Sequence, residues 1–182
     1  MTIRIFRGTL IDPVSPEELT AVPGTYIIVE DGFIKEVSAA LPEAYEGLPV
    51  GDHGEDLILP AFSDLHIHAS QYAQRGIGMD KLLFDWLNDY TFPQESHYES
   101  TDYARAMYAR CIRDLLRHGT MHAAFFTTIH YDACDLFYRM LMKAGMHAYV
   151  SKINMDRNSP DFYVEDTEKS LKETDRFISE HI

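Results

Sequence analysis

The sequence predicts an α/β fold: a small antiparallel β unit, then a parallel sheet with helical crossovers, built as an α/β barrel or as an open doubly wound sheet. Three observations carry that expectation. Residues 1–55 hold short β-branched runs with turn punctuation, whereas residues 56–182 alternate apolar runs with long helical patterns. A His-Ala pair recurs at two helix exits, His122-Ala123 and His147-Ala148, giving a 25-residue strand–helix period. Of the 182 residues 46% are hydrophobic and 25% charged, a balance that supports one sizeable core and excludes disordered and collagen-like chains.

The elements follow in order. Ile3 and Ile5 alternate with Arg4 and Phe6 until Gly8 and Asp12-Pro13 interrupt the pattern. Thr25 to Val29 is a β-branched run that meets Asp31-Gly32, a strong hairpin signal, and Phe33 to Val37 returns as a strand. Pro42 to Gly54 reads as a polar, acidic loop, which sets a boundary near Glu55 and makes residues 1–55 a β-sandwich-like unit. Leu57 to His68 is apolar almost without interruption until its histidines, the mark of a strand buried on both faces. Ala104, Met107, Tyr108, Cys111, Ile112, Leu115 and Leu116 recur every three or four residues and stop at His118-Gly119, which predicts a helix. Met121 to Ile129 is the next strand. Asp132 then caps a helix carrying Leu136, Phe137, Met140 and Leu141, and His147 to Ile153 follows as a strand. Val164, Leu171 and Ile178, at heptad spacing among charges, predict a surface helix from Glu165 onward that has no stop signal. Three strand–helix units fall short of the eight, and about 250 residues, of a closed (β/α)8 barrel, so the chain reads as the front of something larger.

Charge and cysteine content narrow the function. With 16 Lys+Arg against 29 Asp+Glu, the net charge of −13 repels nucleic-acid backbones and anionic membrane surfaces, and no basic patch overrides it. No apolar run approaches the ~20 residues of a membrane span, and the N-terminus alternates charge with apolar residues, unlike a signal peptide. Cys111 and Cys134 read as reduced thiols, so the expected location is cytoplasmic.

The most informative residues are His66 and His68, at the downstream end of a predicted parallel strand. Side chains two apart on a strand share a face at roughly 6–7 Å, so both imidazoles can converge on one cation where barrel active sites assemble. Two neutral imidazoles suit zinc or iron better than calcium or magnesium. Trp86, with Leu82, Leu83 and Leu87, reads as an amphipathic helix packed at the mouth of that site, a role as pocket wall being the alternative. His130, at the same end of its strand, is open to two readings: a contact to substrate or ligands, or a structural histidine. His122 and His147 lie at upstream strand ends and are assigned to packing. Glu165 through Asp175 reads as a solvated helix face.

The stretch Leu59-Pro60-Ala61-Phe62-Ser63-Asp64-Leu65-His66-Ile67-His68 resembles the first-strand signature of the amidohydrolase superfamily, Pro-Gly-(apolar)-x-Asp-x-His-x-His, with Ala61 in place of Gly. His68-Ala69-Ser70-Gln71-Tyr72, Tyr90-Thr91-Phe92-Pro93-Gln94-Glu95 and Lys152-Ile153-Asn154-Met155-Asp156-Arg157-Asn158 are similar to the guanine deaminase branch, over essentially the whole chain. The resemblance implies that residues 56–182 are about three βα units of a (β/α)8 TIM-type barrel. It implies one zinc ion, with iron as the alternative, whose bound water ionises near neutral pH and attacks C2 of guanine to give xanthine and ammonia. It makes His66 and His68 metal ligands and Gln71 a hydrogen-bond partner of the purine; without it, Gln71 is a solvated loop residue. Ser70 stands where the branch usually has Pro, which implies a less rigid loop. Lys152 is structural, since this branch has no bridging lysine. The remaining ligands, a histidine and an aspartate from later strands, and the proton-shuttling carboxylate would lie beyond Ile182. The chain alone is therefore expected to be inactive, requiring the missing portion or a complementing C-terminal half, and a homodimer is implied. Two alternatives stand: an amidohydrolase acting on another heterocycle or cyclic amide, and a truncated remnant or half of a split enzyme.

Overall fold

Residues 1–181 are described by a computed structural model, in which the chain divides into one unit over Met1–Pro60 and a second that starts at Ala61. In the first, strands β1 (Ile3–Pro13), β2 (Leu19–Glu30), β3 (Phe33–Ser38) and β4 (Val50–Ile58) form one sheet in the order β3-β2-β1-β4. The hairpin joining β2 to β3 turns at Asp31-Gly32, both with positive φ (49° and 90°), the backbone that lets a two-residue turn match the strand twist. Ile5 pairs with Ile28, and both are buried.

Two expectations for this unit are corrected. It is a single mixed sheet, not a sandwich, and part of the expected Pro42–Gly54 loop belongs to β4, which pairs parallel with β1 and carries the unit past residue 55 to Pro60. The strand was hidden because it is an exposed edge with little apolar alternation; Asp52 on it holds Arg7 of β1 at 3.0 Å.

In the second unit, β5 (Phe62–His68), β6 (Thr120–Phe126) and β7 (His147–Ser151) form a parallel sheet in that order. Helix α1 (Leu83–Trp86), a π-helical turn and α2 (Phe92–Ser96) follow β5, and α3 (Thr101–Arg117) leads to β6. Helix α4 (Tyr131–Ala144) joins β6 to β7, and α5 (Thr167–His181) closes the described chain. Alternation along β6 drives Ala123 and Phe125 under the helices, where they meet Ile112 and Tyr108 of α3 and Phe137 and Leu141 of α4. Aromatic contacts knit this core: Tyr108 to Phe137 at 4.3 Å and Phe137 edge-on to Phe125 at 4.9 Å. Gly145 ends α4 in the left-handed conformation (φ 74°), which glycine adopts without strain.

Several expectations change here. Leu57 and Leu59 are not part of β5, and β5 is not buried on both faces; Leu65 is 72% exposed because the helices cover only one side of the sheet. β6 stops at Phe126 and β7 at Ser151, although Thr127 N–H still donates to the Ser151 carbonyl (3.0 Å) and Ile153 N–H to that of Thr128 (3.2 Å). His130, with no side-chain bond, takes the cap position of α4 expected of Asp132. Of the heptad residues, Val164 precedes α5 and is exposed, and Leu171 and Ile178 on α5 face solvent, while Ser170 and Phe177 are buried. Rings on α4 choose that face: Phe177 packs edge-on against Tyr131 and Tyr138 at 6.3 Å. Leu82 and Leu83, expected to pack with Trp86, are exposed. Glu165 is no solvated face residue but the partner of fully buried Lys152 (2.5 Å), consistent with a structural lysine. His122 and His147 stand side by side in register, rings stacked at 5.1 Å, on the uncovered face of the sheet. Among the described residues no helix is long and apolar enough to cross a membrane.

Phe137 touches both helix and sheet partners and is fully buried. Phe137→Ala is expected to destabilise this unit by about 3–5 kcal/mol, read as a lower urea midpoint with an unchanged slope.

Candidate metal and ligand site

The uncovered face of the sheet places His66 and His68 together. Their ring centroids lie 5.2 Å apart, and each packs on Phe126 of β6, at 4.9 and 5.1 Å. His68 faces Phe126 in the ladder, and the two-residue period of the strand puts both imidazoles on that side. Burial, and then the neighbouring His66, push His68 below the ordinary imidazole range, which favours the neutral form with a free lone pair. This donor set suits a divalent metal held by imidazole nitrogen. Among the described residues the one cluster of three metal-binding side chains with donor atoms within 4.8 Å of each other is Asp135, Glu180 and His181, which is elsewhere. Among the described residues no third protein donor of that kind joins His66 and His68.

Beside the imidazoles is a cavity of about 420 Å³ whose lining includes His66, His68, Gln71, Tyr72, Trp86 and Asp114. Trp86 donates its indole N–H to the Ile77 carbonyl (2.9 Å), which fixes the ring as part of the wall. Gly78, at φ 67°, permits this: a Cβ there would stand 2.5 Å from Tyr90 and 3.0 Å from Trp86. Tyr72 donates to Asp114, whose carboxyl this bond holds below the usual range, and Arg75 lies over the Tyr72 ring at 3.8 Å. Cys111 also lines the cavity, but burial lifts its thiol to about 12, so it is no nucleophile at neutral pH.

The segment after His68 is tied down from beneath. Ser70 is fully buried and its hydroxyl reaches both Glu95 Oε1 (2.8 Å) and the Thr127 carbonyl (2.7 Å). Gln71 donates from Nε2 to Glu95 Oε1 (3.1 Å), and Tyr163 donates to Glu95 Oε2 (2.7 Å). Where the resemblance implied a less rigid loop, the Ser70 hydroxyl has two acceptors within bonding distance, so side-chain contacts hold the segment there. His130 is not brought to this cavity. It lines another, with Glu165 and Lys169, and its ring meets Tyr163 edge-on at 6.1 Å. Burial pushes it below the ordinary imidazole range.

Residues 57–182 match the amidohydrolase family. This chain belongs to that family. Guanine deaminase of Dictyostelium discoideum is 34% identical over 193 residues, covering 97% of this chain and 43% of the relative. That of Rattus norvegicus is 46% identical over 127 residues, covering 69% and 28%. A solved guanine deaminase from C. acetobutylicum, with guanine bound in its active site, aligns at a TM-score of 0.90 and 44% identity, over 98% of this chain and 43% of that one. The chain therefore spans less than half the length of the relatives it matches.

Within this amidohydrolase chain, sequence reasoning reached His66, His68, Gln71 and Trp86, all of which line one cavity. It missed Glu95 and Tyr163, whose roles arise from contacts 24 and 68 residues long in sequence. Glu95 is 5% exposed; burial raises its carboxyl above the ordinary glutamate range, against the lowering effect of its bonds from Tyr163, Ser70 and Gln71. An acid whose folded pKa is raised binds more protons folded than unfolded, so its contribution is present below the unfolded value and is lost as pH rises through the folded one. Glu95→Gln is therefore expected to gain stability relative to the unsubstituted chain as pH rises from about 4 to 7. Paired urea melts across that range check the slope.

Proposed function

We propose that this chain is the metal-binding first portion, about three βα units, of a (β/α)8 amidohydrolase barrel whose whole protein deaminates guanine to xanthine and ammonia. The observation that carries the reading is two adjacent imidazoles on one face of a parallel strand's downstream end, beside a cavity lined by Gln71 and Trp86. Family membership and the likeness to guanine deaminases support it.

In this reading His66 and His68 hold one divalent ion, zinc or iron. The ion, when bound, supplies a water activated for attack near neutral pH. This chain's own contribution is placement: Gln71 hydrogen-bonds the heterocycle, Trp86 walls the cavity, and Phe126 supports both imidazoles. A catalytic zinc takes three protein ligands and an open position, so two histidines alone bind weakly. The uncovered sheet face and this shortfall support a site completed by further polypeptide, from the same protein or a complementing half.

The full-length protein carrying these residues is expected to release ammonia from guanine faster than from other purines, pyrimidines, pterins or cyclic amides. A preference for a different heterocycle moves the assignment to another amidohydrolase, and no activity with full metal loading overturns deamination. His66→Ala or His68→Ala is expected to abolish stoichiometric metal uptake, measured by elemental analysis, and to lower turnover at least ~100-fold while the thermal melt stays cooperative. Zinc retention by both variants would remove the histidines from the site.

A further inference from the structure

Glu95 is a buried carboxylate with no cation among its hydrogen-bond partners. Ser70, Gln71 and Tyr163 surround it, and a buried carboxyl without a cation beside it is held by such neutral donors alone. Two of the three partners do not depend on it. Ser70 also donates toward the Thr127 carbonyl (2.7 Å), and the Tyr163 hydroxyl also lies 3.2 Å from that of Thr128. Gln71 is different: among the described residues Glu95 is the one hydrogen-bond partner of its side chain.

A free carboxamide turns over easily and exchanges its donor and acceptor ends. Gln71 turns Nε2 toward Glu95 Oε1 at 3.1 Å, and the donors Ser70 and Tyr163 on the same carboxyl keep its oxygens in the accepting role, so the end of Gln71 that faces Glu95 is the NH2 group. That leaves Oε1 without a protein partner on a residue that lines the cavity beside His66 and His68. We propose that Glu95 is a positioning residue that locks the Gln71 amide in one orientation, so that the cavity presents a carbonyl acceptor and selects a lactam-type heterocycle, with a ring N–H donor, over one whose corresponding ring nitrogen is unprotonated. The proposal rests on the reading that Gln71 binds the substrate.

Guanine and 2,6-diaminopurine test it, since they differ in the polarity of one edge: ring N–H beside carbonyl in the first, bare ring nitrogen beside amino group in the second. In the full-length enzyme, Glu95→Leu keeps the volume but removes the acceptor. It is expected to reduce the kcat/KM preference for guanine over 2,6-diaminopurine by roughly tenfold to a hundredfold, mainly through the KM for guanine. Glu95→Gln keeps an acceptor toward Gln71 and is expected to hold the preference within about threefold. Should Glu95→Leu lack a cooperative melt, Glu95→Asp, which withdraws the carboxylate by one methylene, carries the same expectation as Leu. An unchanged preference in the variant that folds, or an equal loss on both substrates, overturns the proposal. Turnover of neither purine by the unsubstituted enzyme overturns the deaminase reading. The hold of Glu95 on Gln71 is then judged by the Gln71 side-chain amide protons in NMR: slow exchange that becomes fast in Glu95→Leu but not in Glu95→Gln supports it, and identical exchange in all three overturns it.

Discussion

The arrangement of the second unit depends on one constraint, the two-residue alternation of three parallel strands with helices on a single side. Because Ala123 and Phe125 must go under α3 and α4, their neighbours His122, Ala124 and Phe126 go to the other face. Phe126 then meets His66 and His68 across the ladder, and the imidazoles acquire a common backing surface. The covered face supplies the stability of this unit, through fully buried Tyr108, Phe137 and Leu141. The other face carries the histidine pair. A one-residue slip in β6 would exchange the two roles at once, which is why the packed core and the histidine pair are specified together.

Beyond the strand ends, polar side chains take over from the ladder. Past β6 and β7, Thr127 and Thr128 receive Ser70, Tyr163 and the backbone of Ile153, and Lys152 is closed off by Glu165. These contacts join segments far apart in sequence into a shelf beyond the strand ends. A buried ion pair of the Lys152–Glu165 kind contributes little net stability relative to apolar packing, but losing one partner strands a charge. The shelf is thus intolerant of partial replacement, and this fits a region that must hold side chains still.

Features with a local cause were legible in the sequence. The recurrence of Ala104, Tyr108, Cys111 and Ile112 marked α3, Asp31-Gly32 marked the hairpin, and His-x-His needed only the period of a strand to put its rings on one side. Features chosen by a distant partner were not. Val164, Leu171 and Ile178 formed a plausible heptad, yet Tyr131 and Tyr138 recruited Phe177 instead, and nothing within the helix records that choice. β4 is an edge strand of mostly polar residues defined by pairing with β1, so its own composition reads as loop. Glu95 is the sharpest case. In the sequence it is one of 29 acidic residues, the last of the Tyr90–Glu95 block, with no role of its own; the role becomes visible only when Ser70, Gln71 and Tyr163 converge on it.

Ser70 holds its segment by different physics from a proline. Proline, usual at that place in the guanine deaminase branch by resemblance, restrains the backbone covalently by fixing φ. Serine leaves the backbone free and restrains it through its hydroxyl, which is why the bonds to Thr127 and Glu95 matter more here than they would beside a proline. The exchange has a consequence for Glu95. Ser70 and Gln71 both approach Oε1, the single Ser70 proton being shared between that oxygen and the Thr127 carbonyl, while Tyr163 donates to Oε2. The residue that anchors the loop and the residue that faces the cavity are therefore coupled through one atom: a shift of the Glu95 carboxylate toward either donor lengthens the bond to the other.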